Sequence, residues 1–460
     1  MTVKQYFDGL KDKRVVVIGL GISNRPLVKL LLDRGIAVEC RDKTPRERLL
    51  PEVLELERQG AKLTLGEDYL DHIQADIVFR TPGLNAFCPQ LMAQRETGTV
   101  VTSEMEAFFS VCPCPILAVT GSDGKTTTTT LIAKLLERAG KTVWCGGNIG
   151  KPLLPEAEKM RPDDVAVLEL SSFQLMGMKQ SPHVAVVTNL SPNHLDIHKD
   201  MEEYVAAKEN IYQYQGNRDT VVLNMDNDIT AGFVSKARGR VLLFSRRCRP
   251  HQGYYLRKDQ MICRVDGAAE QEILNAREIL IPGVHNIENY MAAFCAVDGL
   301  VSDADMAELA RTFGGVAHRI ELVREKDGVR YYDSSIDSSP SRTRAALRSF
   351  QQKVILVAGG KDKGIAYNEL GPELMEHVKL LVLTGMTAGK IRAAAEQVPG
   401  YDGTNPVILE VEEFDDAIRT AASRAEAGDV VILSPASTSF DRFRNFEERG
   451  ERFQKVVMSL

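Results

Sequence analysis

The sequence predicts an α/β protein of three domains with mainly parallel sheets. Two observations carry that expectation. Short apolar runs alternate with amphipathic stretches of helical period along almost the whole chain, the pattern of parallel strands joined by crossover helices. Three runs lead into glycine turns, at Gly19, at 121–124 and at 359–364, marking three nucleotide-scale units. A length of 460 residues fits, since domains usually run ~100–200 residues.

Strands are expected at Val15–Ile18, 77–79, 116–119, 165–170, 184–188, Val354–Ala358, 380–383 and Val430–Leu433. They are rich in Val, Ile and Leu, as strands buried on both faces should be. The expected domains are 1–103, 104–315 and 316–460, the last beginning just after Gly314 and Gly315. No internal repeat or low-complexity segment interrupts them.

Composition narrows the function classes. Apolar residues make up 44% and charged residues 26%, as in globular proteins that stay in water. A net charge of −6 argues against nucleic acid as the main partner. No apolar run approaches the ~18 residues of a membrane span. The first residues lack a signal-peptide core and reach an acid at Asp8, so a cytoplasmic protein without a membrane partner is expected. Of eight cysteines only Cys112 and Cys114 are close, and Cys-x-Cys is not zinc-ligand spacing. Reduced, mostly buried thiols are the expectation.

The most informative motif is Thr120-Gly121-Ser122-Asp123-Gly124-Lys125-Thr126-Thr127. It follows an apolar strand and precedes a stretch, 127–140, with Leu131, Leu135 and Leu136 at helical spacing. Gly121 and Gly124 allow backbone N–H groups to approach phosphate oxygens. Lys125 can reach β- and γ-phosphates, the Thr126 hydroxyl can ligate Mg²⁺, and the helix start adds partial positive charge. The loop is a shortened G-x-x-G-K-T variant of the usual phosphate loop. A glycine turn with a solvated lysine is the plainer alternative.

Gly19-Leu20-Gly21-Ile22-Ser23-Asn24 is a second glycine turn, followed by Asp42 where a ribose-binding acid often stands. Asn24 breaks the dinucleotide fingerprint. Diphosphate binding and a tight strand–helix turn both remain open.

Glu169 stands inside an apolar strand, where a charge needs a partner. Mg²⁺ held with the upstream loop is the natural one; an acid facing water at the sheet end is the alternative. His194 follows another apolar run and could ligate metal or orient phosphate, whereas His198 has no stronger case than a surface loop histidine. Lys208 falls in a helical stretch, 202–214, where solvent exposure is the default.

Together these motifs resemble the Mur ligase family. The shortened loop, G-G-N-I-G (146–150), E-L-S-S-F-Q-L (169–175), N-x-S-P-x-H-L-D (189–196) and Ala206-Ala207-Lys208 stand in the family's order. So do His285-Asn286-x-x-Asn289, His318-Arg319, 359–364, and the S-P-A-S-x-S-F-D segment 434–441 with Asn445-Phe446. E-L-S-S-F-Q-L, the short N-terminal domain opening at G-L-G, and Thr81-Pro82-Gly83 look most like the member that adds D-glutamate.

The resemblance implies an ATP-dependent ligase that adds D-glutamate to UDP-N-acetylmuramoyl-L-alanine through an acyl phosphate, in bacterial cell-wall synthesis. It implies a Rossmann-like UDP-binding domain, a central P-loop ATPase-like domain and a Rossmann-like C-terminal domain. The nucleotide substrate would meet Gly19, Leu20, Gly21, Ile22, Ser23, Asn24, Asp42, Lys43, Pro82, Gly83, Asn148, Ser171, Gln174 and His194. ATP would meet residues 121–127, Asn286, Asn289, Arg319 and Asp333. Two Mg²⁺ ions would be held by Thr126, Glu169, His194 and a CO₂-derived carbamate on Lys208. The amino acid would meet His318, Lys363, Ser439, Phe440 and Phe446. A monomer is implied.

The sequence departs from the family at two places. Asn193 stands where many members have Asp. Where the family often reads D-S-K-A-T-N, this chain has Asp333-Ser334-Ser335-Ile336-Asp337-Ser338, without the lysine and threonine expected near the D-glutamate carboxylates. A dicarboxylate needs cations, so Arg342 or Arg344, with Lys363, is expected to supply them. The competing readings are another Mur or polyglutamate-type ligase, a nicotinamide dehydrogenase built on Gly19 and Gly21, and a non-catalytic nucleotide-binding module.

Overall fold

The computed structural model describes residues 1–192 and 198–460. Three α/β sheets form, all dominated by parallel pairing. The first contains β1 (Val15–Ile18), β2 (Val38–Asp42), β3 (Lys62–Leu65), β4 (Ile77–Arg80) and β5 (Val100–Thr102). Their order is β3-β2-β1-β4-β5, and every pairing is parallel. β1 is central and wholly buried, which is why its four residues are all Val or Ile. The strand order reverses between β1 and β4, so a crevice is expected at their C-terminal ends.

The second sheet contains β6 (Ile116–Thr120), β7 (Val143–Gly147), β8 (Val165–Glu169), β9 (Val184–Val187), β10 (Thr220–Asn224), β11 (Arg240–Ser245), β12 (Gln252–Leu256), β13 (Met261–Asp266) and β14 (Ala269–Asn275). The order β14-β13-β12-β11-β10-β9-β6-β8-β7 places β6 between β8 and β9. The loops that follow these three parallel strands therefore emerge side by side. The last three strands pair antiparallel. They mix polar with apolar residues and were not expected as strands, because the apolar-run criterion finds only strands buried on both faces.

The third sheet contains β15 (Glu321–Lys326), β16 (Val329–Asp333), β17 (Val354–Ala358), β18 (Val378–Leu383), β19 (Val407–Glu410) and β20 (Val430–Leu433). Its order is β15-β16-β20-β17-β18-β19, parallel except for β15–β16.

By compactness the chain divides into two units. One comprises 1–277 with 288–309 and holds the first two sheets; the other comprises 278–287 with 310–460 and holds the third. In the first unit a single apolar cluster runs from Phe7, Leu27 and Phe79 through Phe108 to Leu168, Val187 and Tyr204. Each fully buried aliphatic side chain contributes ~1.5–3 kcal/mol. Buried Arg80, at the end of β4, adds a polar link. Its guanidinium donates to the carbonyls of Leu84 (3.2 Å), Phe173 (3.1 Å) and Met176 (2.5 Å). No helix among the described residues is long and apolar enough to cross a membrane.

Candidate active site

β6 is buried along its length and opens into the glycine loop. Gly121 and Gly124 take φ values of +152° and +77°. A Cβ on Gly121 would lie 1.9 Å from Thr188 Oγ1, and one on Gly124 would lie 2.3 Å from Asn289 Oδ1. The loop thus lies flat on its neighbours, which only glycine permits. It is braced from the β9 side: Ser122 N–H donates to Asn189 O (2.8 Å), Asp123 N–H to Asn189 Oδ1 (3.0 Å) and the Thr188 hydroxyl to Asp123 O (2.6 Å). The helix Lys125–Arg138 begins at once, so its unsatisfied N–H groups face the loop. Lys125 Nζ folds back onto the carbonyls of Gly121 (3.0 Å) and Ser122 (2.9 Å). Gly124→Ala is expected to abolish nucleotide binding and to cost ~1–3 kcal/mol of backbone strain. Titration calorimetry with a non-hydrolysable ATP analogue and a melting curve would check both.

Glu169 ends β8 and is buried. Its Oε2 accepts the Thr126 hydroxyl (2.7 Å) and its Oε1 accepts Asn148 Nδ2 (2.8 Å). Asn148 N–H in turn donates to the Glu169 carbonyl (2.7 Å). One buried carboxylate thus joins the helix start to the segment after β7. A hydroxyl and a carboxylate beside a phosphate loop are the hard oxygen donors that Mg²⁺ takes.

Lys208 lies on the helix Met201–Gln213 and is only 2% exposed. Its Nζ donates to Thr120 Oγ1 (3.1 Å) and Gly121 O (2.9 Å), and lies 4.9 Å from the centre of the Tyr204 ring. Burial, and then the nearby charge of Lys125, hold its pKa well below that of an ordinary lysine; Glu169 and Asp123 oppose the shift. A buried amine with weakened basicity is a nucleophile. The Tyr204 hydroxyl shares a 2.9 Å hydrogen bond with Ser122 Oγ.

In the first sheet, Gly19 and the Thr81-Pro82-Gly83 turn are neighbours: Thr81 N–H donates to Ile18 O (2.8 Å). Asp42 accepts the backbone N–H groups of Leu20 (2.7 Å) and Thr44 (2.8 Å). Asn24 is buried and donates to the carbonyls of Ile18 (3.1 Å) and Gly19 (2.9 Å). Gly21, Ile22, Lys43 and Gly83 are exposed around this crevice. Ser171 and Gln174 bond each other in a capping box of the helix Ser172–Leu175.

The second unit carries its own polar cluster. His318 Nδ1 meets buried Asp333 at 2.7 Å, and Asp333 also accepts Ser335 N–H (2.9 Å) and the Gln454 amide (3.0 Å). The bond to Asp333 raises the His318 pKa, against burial. The stabilisation from this pair is therefore full below the ordinary histidine value of about 6.5 and lost as pH rises through the raised one. Melting temperature against pH should show that loss for the wild type, and a flatter curve for His318→Gln.

Arg342 donates to the Ile336 carbonyl (3.1 Å) and Lys363 Nζ reaches Ser338 Oγ (3.4 Å), so both exposed cations border the altered 335–338 segment. Arg344 instead pairs with Glu369 and approaches Glu373 (3.9 Å). Ser439 is buried, Phe440 is exposed, and Phe446 packs edge-on to His318.

With this geometry in place, comparison with known proteins is decisive. The Mur ligase middle domain matches residues 119–297, and the Mur ligase glutamate ligase domain matches 318–437. A UDP-N-acetylmuramoylalanine–D-glutamate ligase of Acetivibrio thermocellus is 51% identical over 454 residues, covering 98% of this chain and 97% of its own. A protein of the same name from Ruminiclostridium cellulolyticum is 48% identical over 461 residues, covering 100% of this chain and 99% of its own. The chain belongs to the Mur ligase family. The fold agrees: a MurF of Acinetobacter baumannii superposes with a TM-score of 0.60 at 16% identity, covering 100% of this chain and 99% of that one. A UDP-N-acetylmuramate–alanine ligase of Thermotoga maritima gives 0.57 at 18%, covering 97% and 99%.

In this Mur ligase the loop 121–127, Asn148, Glu169, Lys208 and Asn289 converge at the ends of β6 and β8. His194 lies outside the described residues. Asn286 is placed in the second unit, where its amide donates to Pro282 O (2.5 Å). Several expectations need correction. Lys208 is not solvated, because its helix packs that face onto β6. His198 is no surface histidine: it is buried, bonded to Ser172 Oγ (2.9 Å) and stacked on Phe173. Asn24 points its amide into the protein, shaping the glycine turn from behind. Arg344 already has carboxylate partners. Sequence reasoning missed Tyr204 and Thr188, and gave Asn189 only as the first residue of the 189–196 motif. Tyr204 stands one helical turn before Lys208, a spacing that could have flagged it.

Proposed function

We propose that this Mur ligase adds D-glutamate to UDP-N-acetylmuramoyl-L-alanine at the expense of ATP, in peptidoglycan synthesis in the cytoplasm, a step on which cell shape and division depend. The observation that carries the reading is the convergence of the Lys125 loop, Glu169 and Lys208, in a chain about half identical over its length to relatives of that name. Residues 1–103 would bind the uridine nucleotide, 104–315 ATP, and 316–460 the amino acid, in a monomer.

The L-alanine carboxylate attacks the γ-phosphorus and the bond to the β-bridging oxygen breaks, giving ADP and an acyl phosphate. The D-glutamate amine then attacks the acyl carbon, and phosphate departs with one carboxylate oxygen. Lys125 moves from its loop carbonyls to the transferring phosphoryl group, and the loop N–H groups hold the phosphates in line. Thr126 and Glu169, with His194, would hold Mg²⁺, which supplies charge neutralisation at the phosphoryl oxygens. The Lys208 amine would add CO₂ and lose a proton, turning a buried nitrogen base into an anion able to serve as a second metal's ligand. Asn286, Asn289, Arg319 and Asp333 would complete the ATP site.

For the amino acid, His318, Ser439, Phe440 and Phe446 would frame the pocket, and Arg342 with Lys363 would grip the carboxylates. Arg342 is favoured over Arg344 because its guanidinium meets a backbone carbonyl rather than a carboxylate and borders the 335–338 segment. Arg342→Ala is expected to raise the Michaelis constant for D-glutamate at least ~10-fold, the cost of a charge-assisted hydrogen bond. An unchanged constant in the Arg342→Ala, Arg344→Ala double variant would exclude both arginines.

The function is tested by phosphate release with ATP, Mg²⁺, bicarbonate and UDP-N-acetylmuramoyl-L-alanine, offering D-Glu, L-Glu, L-Lys, meso-diaminopimelate and D-Ala-D-Ala in turn. Release with D-Glu alone is expected. Release with another amino acid would assign a different step of the same chemistry; none with any would leave a non-catalytic nucleotide-binding module.

A further inference from the structure

The segment between the helix Glu104–Val111 and β6 reads Cys112-Pro113-Cys114-Pro115. The ligase chemistry uses none of these residues. Both cysteines precede a proline, which confines each to extended backbone. Cys112 takes φ −60° and ψ 121°. Two consecutive X-Pro units leave this segment few conformations, and in the one adopted the two Sγ atoms lie 3.6 Å apart. Cys112 Sγ also lies 3.5 Å from the Cys114 carbonyl oxygen. In extended chain residues two apart share a face, and here the segment brings the two sulfurs into direct contact.

The two thiols are not equivalent. Cys114 is buried in the apolar cluster of the first unit, whereas Cys112 packs at its margin and is partly exposed. The contact between the two thiols holds Cys112 below its ordinary pKa and, with burial, pushes Cys114 up. An accessible thiol with the readier thiolate beside a buried partner is the arrangement of an attacking and a resolving cysteine. The other cysteines differ: Cys145 and Cys248 are exposed, and neither has a thiol partner among the described residues.

We infer that Cys112 and Cys114 form a dithiol site that reacts with small-molecule disulfides and closes to an internal disulfide. The Cys112 thiolate attacks one sulfur of the disulfide, forming a mixed disulfide and releasing one thiolate. Cys114, losing its proton to water, then attacks Cys112 Sγ and expels the second thiolate. The protein loses two protons and two electrons, and the small disulfide is reduced to two thiols. The Sγ atoms must approach from 3.6 Å to about 2.05 Å. The ring would span Cys112 to Cys114, one residue ahead of β6, so closure constrains the entry to the strand that leads into the phosphate loop. Such a bond should be easily reduced, since strained disulfides are the labile ones.

The test uses the intact protein under native conditions with oxidised glutathione, quenched with iodoacetamide, digested and weighed. The Cys112–Cys114 peptide should be lighter by two hydrogens, resist alkylation, and regain both alkylation sites after dithiothreitol. Cys145 and Cys248 should show only glutathione adducts or alkylation. Cys114→Ser, lacking the resolving thiol, should stop at a stable glutathione adduct on Cys112; Cys112→Ser should leave Cys114 without an adduct. Full alkylation of both cysteines in the wild type, or a wild type that stops at the same adduct as Cys114→Ser, would overturn the inference.

Discussion

Replacing Lys208 by alanine is expected to lower turnover by ~10²–10³-fold, the scale of losing one preorganised electrostatic group. The reason is local. The amine sits in a buried slot against Thr120 Oγ1, Gly121 O and the Tyr204 ring, where an ammonium is disfavoured. A lysine kept at such a desolvation cost needs a use, and the proposed conversion to a carbamate anion beside Glu169 would provide one. Wild-type activity should fall in CO₂-depleted buffer and return with bicarbonate, while Lys208→Ala should not respond. Full turnover in the variant, or a wild type indifferent to bicarbonate, would remove the carbamate from the account.

A second large effect is expected at Lys125. Lys125→Ala should reduce single-turnover phosphate release by ~10²–10³-fold. In the structure its ammonium bridges the carbonyls of Gly121 and Ser122. Lys125→Arg should not restore the rate, because a planar, bulkier guanidinium fork cannot take the place of a compact point charge between two loop carbonyls. Equal rates in Lys125→Ala and wild type would detach the loop from phosphoryl transfer.

Much of this was legible in the sequence, for physical reasons. Parallel strands buried on both faces read as apolar runs, so β1, β6, β8, β9, β17 and β20 could be placed within a residue or two. The antiparallel strands β12–β14 could not, because polar residues break up their apolar runs. The phosphate loop was legible because glycine, lysine and threonine at fixed offsets, set between a strand and a helix, suit little besides a phosphate. Glu169 stood out as a charge in an apolar run. Lys208 and His198 did not, because which face of a helix or loop is buried depends on what packs against it. Asn24 was visible only as a break in a fingerprint; its inward hydrogen bonds are a tertiary fact. Arg344 shows the same limit, since Glu369 and Glu373 reach it only in the folded chain.

The acyl-phosphate route to a D-glutamyl amide is tested most directly with UDP-N-acetylmuramoyl-L-alanine carrying heavy oxygen in both carboxylate positions. In the presence of ATP and D-glutamate, each released phosphate should contain one heavy oxygen, and the nucleotide product should retain the other in its new amide. Phosphate without the label, despite turnover, would contradict the account.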